Sequence, residues 1–176
     1  MFHIDGNKNY PKETSSKVIV RFQDCDPLQH LNNAKYFDYF FNARDDQVAK
    51  LYGVRMSDIF KTYQCAWVVY THQIGYIRPA GMGELVTINS RIIWFNENTT
   101  VVEYFMMNDA QTELKTVMWT TLRYVDVRSG RSTNHSGEVL AFLEAVKVPD
   151  FEFIPTGFQQ RIKQIKDEVQ HKNIEA

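Results

Sequence analysis

The sequence predicts an α+β domain in which a curved antiparallel sheet wraps one long central helix, and three observations carry this. From about Asn33 to Gly53, the residues Tyr36, Phe37, Tyr39, Phe40, Phe41, Ala43, Val48 and Leu51 leave little polar face. A helix that is apolar nearly all round is a buried one. From Ala66 onward, β-branched and aromatic runs alternate with tight turns, the pattern of antiparallel strands. Ahead of the helix stands one further strand-like run, Val18 to Phe22. A sheet long enough to curl round the helix would bury it on most sides, as its composition requires.

Composition sets the bounds. A chain of 176 residues is enough for one domain with its own core. With 44% hydrophobic and 14% aromatic residues, it reads as globular rather than disordered. A formal net charge of -1 gives no electrostatic basis for nucleic acid or an anionic membrane as partner. The stretch MFHIDGNKNYPKETSSK lacks the apolar run of a secretory leader, and no segment is long and apolar enough to span a bilayer. The expected setting is the cytoplasm. Cys25 and Cys65 form no C-x-x-C pair, so neither a zinc knuckle nor a redox motif is expected. With Asp24 and Asp26 as neighbours, Cys25 is a poor thiolate and reads as structural.

Taken in order, residues 1–16 read as a flexible arm, 17–128 as the domain proper, and 129–176 as a helical extension packed on it. Val18, Val20 and Phe22 make the first strand half-buried, and Pro27 is expected to end it. The helix looks wet only at Arg44, Asp45, Asp46 and Lys50, and Gly53 stops it. A short mixed segment with Lys61 and Tyr63 follows. Strands are expected over 66–77, with Gly75 a bulge, and over 84–95, 99–107 and 114–127. Arg78 to Gly83, Asn96 to Asn98 and Asn108 to Gln111 supply the turns. Glu138 to Val146 reads as a short helix. A last helix carries Phe158, Ile162, Ile165 and Val169 on one stripe, which must cover its own sheet or a partner subunit.

The chemistry concentrates in the polar elbow between first strand and helix, QDCDPLQHLNN from Gln23 to Asn33. Asp24, Asp26, His30, Asn32 and Asn33 stand just before a helix start. Asp and Asn there cap exposed N–H groups, and the helix dipole favours negative charge. Two readings stand side by side: the carboxylates cap turns and His30 is a structural hydrogen-bonder, or acid, imidazole and amide donors form a catalytic site. Other chemistries lack their motifs: there is no G-x-S-x-G elbow, H-E-x-x-H helix or G-x-x-x-x-G-K-[ST] loop. Leu28 falls where a calcium loop needs a third oxygen ligand. His3, His72, His135 and His171 show no metal-ligand spacing, and no metal is expected.

The string Asp24-Cys25-Asp26-Pro27-Leu28-Gln29-His30-Leu31-Asn32-Asn33-Ala34-Lys35-Tyr36 resembles the D-x-D-x-x-x-H-x-N-N-x-x-Y signature of hotdog-fold thioesterases, the 4-hydroxybenzoyl-CoA thioesterase-like group. Ile77-Arg78-Pro79-Ala80 followed by Gly83-Glu84-Leu85 is similar to that family's P-x-x-x-G-[DE] turn, and the likeness covers roughly residues 17–128. The resemblance implies a hotdog fold and hydrolysis of an acyl-CoA or acyl-ACP thioester without a cofactor. Asp26 would be general base or direct nucleophile, and His30 would orient the water or the carbonyl. Backbone N–H groups near Asn33 and Ala34 would polarise that carbonyl, with Asn32 capping the helix. Tyr36, Arg78 and Arg91 would touch substrate. A five-strand sheet leaves two edges to be covered or paired, and the resemblance points the same way, to a homodimer or homotetramer; the candidate joining edge is the 66–77 strand, with Val68, Tyr70, Gln73 and Tyr76.

Two positions depart from relatives of this group. Leu28 stands where plant-type acyl-ACP thioesterases carry an asparagine, and the Asn96-Glu97-Asn98 hairpin lacks the cations of some CoA-specific members. CoA phosphates would then have to meet Arg78, Arg91, Arg123, Arg128 or Lys61. The rival reading is a hotdog module that binds an acyl group or partner protein without hydrolysing it. A dehydratase of the same fold is weaker, since nothing marks a hydroxyacyl substrate.

Overall fold

A computed structural model describes residues 9–175, with side chains described to 171. Its elements are β1 (Thr14–Ile19), α1 (Tyr36–Gln47), α2 (Met56–Tyr63), β2 (Cys65–Tyr76), β3 (Leu85–Phe95), β4 (Thr99–Asn108), β5 (Leu114–Asp126), α3 (Gly137–Val146) and α4 (Phe158–Glu175). One antiparallel sheet has the order β1-β3-β4-β5-β2. The later strands fall within a residue or so of the expected runs, because period-two burial and turn residues mark both ends. One connection differs from expectation. Residues 77–84 do not close a hairpin: β2 pairs with β5 and β1 with β3, so this segment carries the chain from one sheet edge toward the other.

Each face of the sheet is dried by a different set of helices. Val86, Ile88, Val102, Tyr104, Met106 and Met118 pack with Tyr36 and Phe40 of α1 and with Val139, Phe142 and Leu143 of α3. Phe40 is wholly buried. On the opposite face Ile93, Val101, Val117 and Trp119 receive Phe158, Ile162 and Ile165 of α4. The last helix therefore covers its own sheet. Gly75 is not a bulge, since it stays in register with Val117, and the register shift lies between Val69 and Thr71. A Cβ at Gly75 would sit 2.6 Å from Ile162 Cδ1; the glycine is there so that α4 can come down onto β2.

Helix α1 opens with a 3-10 turn at Asn33–Lys35, runs on as a π turn at Val48–Tyr52, and stops where Gly53 takes a left-handed φ of 72°. Buried Gln47 fixes its far end to β1 and β3: Nε2 donates to Ser16 Oγ (2.8 Å) and Ile88 O (3.0 Å), while Oε1 accepts from Thr14 Oγ1 (2.8 Å) and Ser90 Oγ (2.6 Å). The mixed segment proves to be helix α2, and Met56, Ile59, Phe60 and Tyr63 have helical spacing. Of the arm expected over 1–16, residues 1–8 lie outside the described residues. The remainder is packed: Tyr10 is buried against the rings of Tyr52 and Phe142, and β1 already starts at Thr14. A lone aromatic among polar neighbours gave no periodic signal. Phe22, expected in the first strand, lies in a 3-10 turn and is 81% exposed, because β1 ends at Ile19.

Under α4 lies a buried ionic cluster. Glu103 is fully buried and accepts from Arg91 Nε (2.8 Å), Arg161 Nε (3.1 Å) and Trp119 Nε1 (2.8 Å). Burial pushes its carboxyl up, but the Arg91 and Arg161 guanidiniums outweigh that, and it lies below the usual carboxylate range. A carboxyl with its folded value depressed stabilises the fold above the unfolded value, about pH 4.3. That contribution is lost as pH falls through the folded value. Glu103→Ala leaves buried Arg161 and half-buried Arg91 without their shared anion and is expected to cost about 3–5 kcal/mol in urea unfolding. The variant should also lose less stability than the parent between about pH 4.3 and lower pH.

Candidate active site

The elbow is a tight out-and-back loop seated on the turn before β3. Val20 N donates to Glu84 O and Gly83 N to Val20 O, both at 2.9 Å, which pins the end of the first strand. Asp26 N donates to His30 O (2.8 Å), Gln29 N to Asp26 O (2.9 Å), and Asn32 N to Asp24 O (2.9 Å). Gln29 turns the chain back with a left-handed φ of 63°, a conformation that non-glycine residues hold only when neighbours enforce it. Those neighbours are Met82, whose N–H donates to Gln29 O (2.9 Å), and buried Leu31, whose N–H donates to Ala80 O (2.8 Å).

This loop sets the candidate groups. Asp26 Oδ1 accepts from Leu28 N (2.9 Å) and His30 N (3.1 Å), and its second oxygen has no partner among the described residues. The carboxylate is thus fixed by one oxygen and presents the other. His30 is half-buried, and its ring makes no hydrogen bond among the described residues. Asn32 is the helix cap, its Oδ1 accepting from Ala34 N (3.0 Å). This corrects one expectation: the Ala34 N–H is already occupied by the cap. The Asn33 N–H has no partner among the described residues, so it is the donor left at the helix start. Tyr76 OH donates to Asn33 O (2.9 Å) and ties that start to β2.

Three further expectations sort by where each side chain sits. Tyr36 is buried, its ring meeting Tyr76 edge-on (5.2 Å between centroids) and its hydroxyl accepting from Ala80 N (3.3 Å). It is core, because the first turn of α1 faces the sheet. Arg78 stays exposed beside the elbow, with Glu113 at 2.9 Å. Arg91 does not belong to the site. Val86, Ile88 and Ile92 face the helix, so alternation turns Arg91 to the other face, where it pairs with Glu13 and Glu103.

Two tyrosines escaped the sequence reading of the site: Tyr76, above, and Tyr39. Tyr39 OH donates to Asp24 Oδ2 (3.0 Å) and accepts from Arg21 N (2.9 Å). Burial, then the Asp24 contact, raise the Tyr39 phenol and keep it a donor. Asp24 is therefore a tether rather than a free base. Burial first, then Asp24 and Asp26, raise the Cys25 thiol, in line with its structural reading. Among the described residues no group of three or more His, Cys, Asp or Glu could hold a metal ion.

A curved antiparallel sheet wrapped around a helix is the hotdog architecture. Residues 20–171 match the model of the Thioesterase-like superfamily, and the chain belongs to that family. It is 26% identical over 132 residues to FadM of Escherichia coli, a long-chain acyl-CoA thioesterase, covering 73% of this chain and 96% of that one. Among solved structures, YbaW from Escherichia coli superposes with a TM-score of 0.67 at 23% identity, over 76% of this chain and 99% of that one. A DHNA-CoA thioesterase from Staphylococcus aureus gives 0.67 at 17% identity, over 89% and 94%. No described helix is long and apolar enough to cross a membrane.

The double acceptance at Asp26 makes a stability prediction. Asp26→Asn keeps an oxygen facing the Leu28 and His30 amides, so its unfolding free energy should stay within about 0.5 kcal/mol of the parent. Asp26→Ala loses both bonds and should cost about 1–3 kcal/mol, read by thermal or urea unfolding.

Proposed function

We propose that this protein hydrolyses acyl-CoA thioesters, with Asp26 as the base or nucleophile. The observation that carries the reading is the half-anchored Asp26 carboxylate in the loop that leads to the Asn33 N–H, a donor without a partner among the described residues. As base, the free oxygen of Asp26 takes a proton from water while the water oxygen bonds to the thioester carbon. Negative charge then develops on the carbonyl oxygen, where the Asn33 N–H and the positive end of α1 stabilise it. The C–S bond breaks as the carbonyl re-forms, and the thiolate leaves with the proton. As nucleophile, Asp26 itself bonds to the carbon and expels the thiolate, and water cleaves the resulting anhydride. An aimed amide donor contributes about 3–4 kcal/mol, and a positioned base about 10²- to 10⁴-fold. His30 lies in the same loop and orients water or carbonyl; Arg78, exposed in the segment on which the elbow is seated, is the cation assigned to the carrier's phosphates. CoA is favoured over ACP as carrier by the names of FadM and the Staphylococcus aureus relative. The cytoplasm as setting belongs to the same proposal.

The proposal includes a two-fold dimer. β2 is a sheet edge of 12 residues with Val68, Val69, Tyr70 and Tyr76 all more than 40% exposed. A long unpaired edge is satisfied by pairing, and pairing with a second copy closes the assembly. The bond from Tyr76 to Asn33 O supports an edge that lies close to the proposed site.

Release of free thiol from a panel of acyl-CoA and acyl-ACP thioesters tests the activity. Turnover should be seen with CoA esters, and Asp26→Asn should lower kcat by about 10²- to 10⁴-fold with the fold intact. Binding without any thiol release would establish the non-catalytic alternative. Sedimentation at low micromolar concentration should give a dimer, with activity and dimer lost together on dilution; a fully active monomer would refute the shared edge.

A further inference from the structure

The proposed chemistry needs a carboxylate and an amide donor around one carbonyl, and these come from opposite limbs of the elbow. The incoming limb carries Asp26; the outgoing limb leads to Asn33 at the helix start. The limbs meet where Asn32 N donates to Asp24 O (2.9 Å) and Cys25 bridges Leu31. Other anchors of the loop run to residues 80–84: Leu31 to Ala80, His30 to Gly81, Gln29 to Met82 and Val20 to Glu84. These bonds seat the loop on the turn before β3, and none of them joins it to α1.

That join is made by Tyr39, a buried residue of the first turn of α1. A phenol hydroxyl is both a donor and an acceptor, and here both capacities are spent on the incoming limb. Tyr39 OH donates to Asp24 Oδ2 (3.0 Å) and accepts from Arg21 N (2.9 Å). Asp24 N in turn donates to Arg21 O (3.1 Å). One hydroxyl thus grips both ends of the 3-10 turn at Phe22–Asp24. From that grip Asp26 lies two residues on along one limb. Across the bond between Asp24 and Asn32, the next residue of the other limb is Asn33. Lys35 also reaches Asp24, at 3.8 Å, but its side chain is exposed and solvent weakens such a pair.

Resting on the thioesterase reading, we propose that Tyr39 is a positioning residue: its hydroxyl, acting through Asp24, fixes where the Asp26 carboxylate stands relative to the Asn33 N–H. It touches neither substrate nor reacting atom. A reacting group misplaced by about 1 Å costs up to about 10²-fold in rate, so the grip acts on turnover rather than on affinity. Asp24 takes part as an oxygen that accepts, not as a base. The two aspartates of the elbow then divide the work: Asp26 reacts and Asp24 holds.

Tyr39→Phe removes only the hydroxyl. It should lower kcat for an acyl-CoA ester by about 10- to 10²-fold and leave KM within about twofold. Asp24→Ala should do the same, and at a half-buried position it carries the test should Tyr39→Phe fail to fold. Asp24→Asn keeps an oxygen for the phenol and should restore kcat to the parent's order of magnitude. The double variant Tyr39→Phe/Asp24→Ala should be no slower than the slower single one, since both remove the same bond. A parental kcat in Tyr39→Phe, losses that multiply in the double variant, or Asp24→Asn as slow as Asp24→Ala would overturn the proposal. Amide hydrogen exchange read by NMR tests the grip without catalysis. In Tyr39→Phe the Asp26 and Asn32 amide protons, whose own bonds the substitution leaves in place, should exchange about tenfold faster, with Val102 and Met118 of the sheet unchanged. Parental rates at Asp26 and Asn32 would refute the grip even if no thioester is turned over. Faster exchange there in a protein that releases no thiol would support the grip and overturn the thioesterase reading instead.

Discussion

Phe40 has to be out of water, and so do Tyr36 and most of the ring-bearing face around it. Each fully buried ring is worth about 1.5–3 kcal/mol, and a flat sheet could cover only one side of such a helix. Bending five strands round α1 is what dries it. From that one requirement follows the position of the elbow, which delivers the chain into the helix at one end of the sheet.

The two faces are fastened by different physics. Apolar contact with α1 and α3 supplies stability on one face, while Gln47 fixes the helix relative to β1 and β3 through four hydrogen bonds. On the other, Glu103 holds Arg91 and Arg161 under α4. A buried ion pair adds little net stability compared with a well-packed apolar one, but breaking it is costly. It therefore acts on where α4 sits more than on whether the chain folds. The same cluster explains why Arg91 is unavailable to an anionic substrate.

Much of this was legible in the residues. Strand ends were readable because turn residues bracket alternating runs, and α1 because its rings leave no wet face early on. The elbow's acid, histidine and cap were visible as a string. What could not be read was direction: whether Arg91 faced helix or solvent depends on the phase of β3, and whether Ala34 was free depends on which amide Asn32 caps. Helix α2 was overlooked although Met56, Ile59, Phe60 and Tyr63 carry its period, since eight residues are too few to stand out. The crossing from β2 to β3 was hidden because Arg78 to Gly83 has the composition of any tight turn. Gly75 was seen as special for the wrong reason, its requirement coming from a helix some eighty residues away.

The two sheet edges are unequal, and this bears on what the chain does when concentrated. β1 offers six residues, with Lys17 held at 2.5 Å by Asp109, whereas β2 offers 12 with an apolar surface. A sheet with two equivalent sticky edges can add copies without limit, like a tile with matching sides. Here one side is short and charged, and α4 covers the face opposite α1. Once β2 is taken up by the proposed pairing, the edge that remains is the short β1, where the Lys17–Asp109 pair disfavours addition of a further strand and so works against fibrous polymerisation.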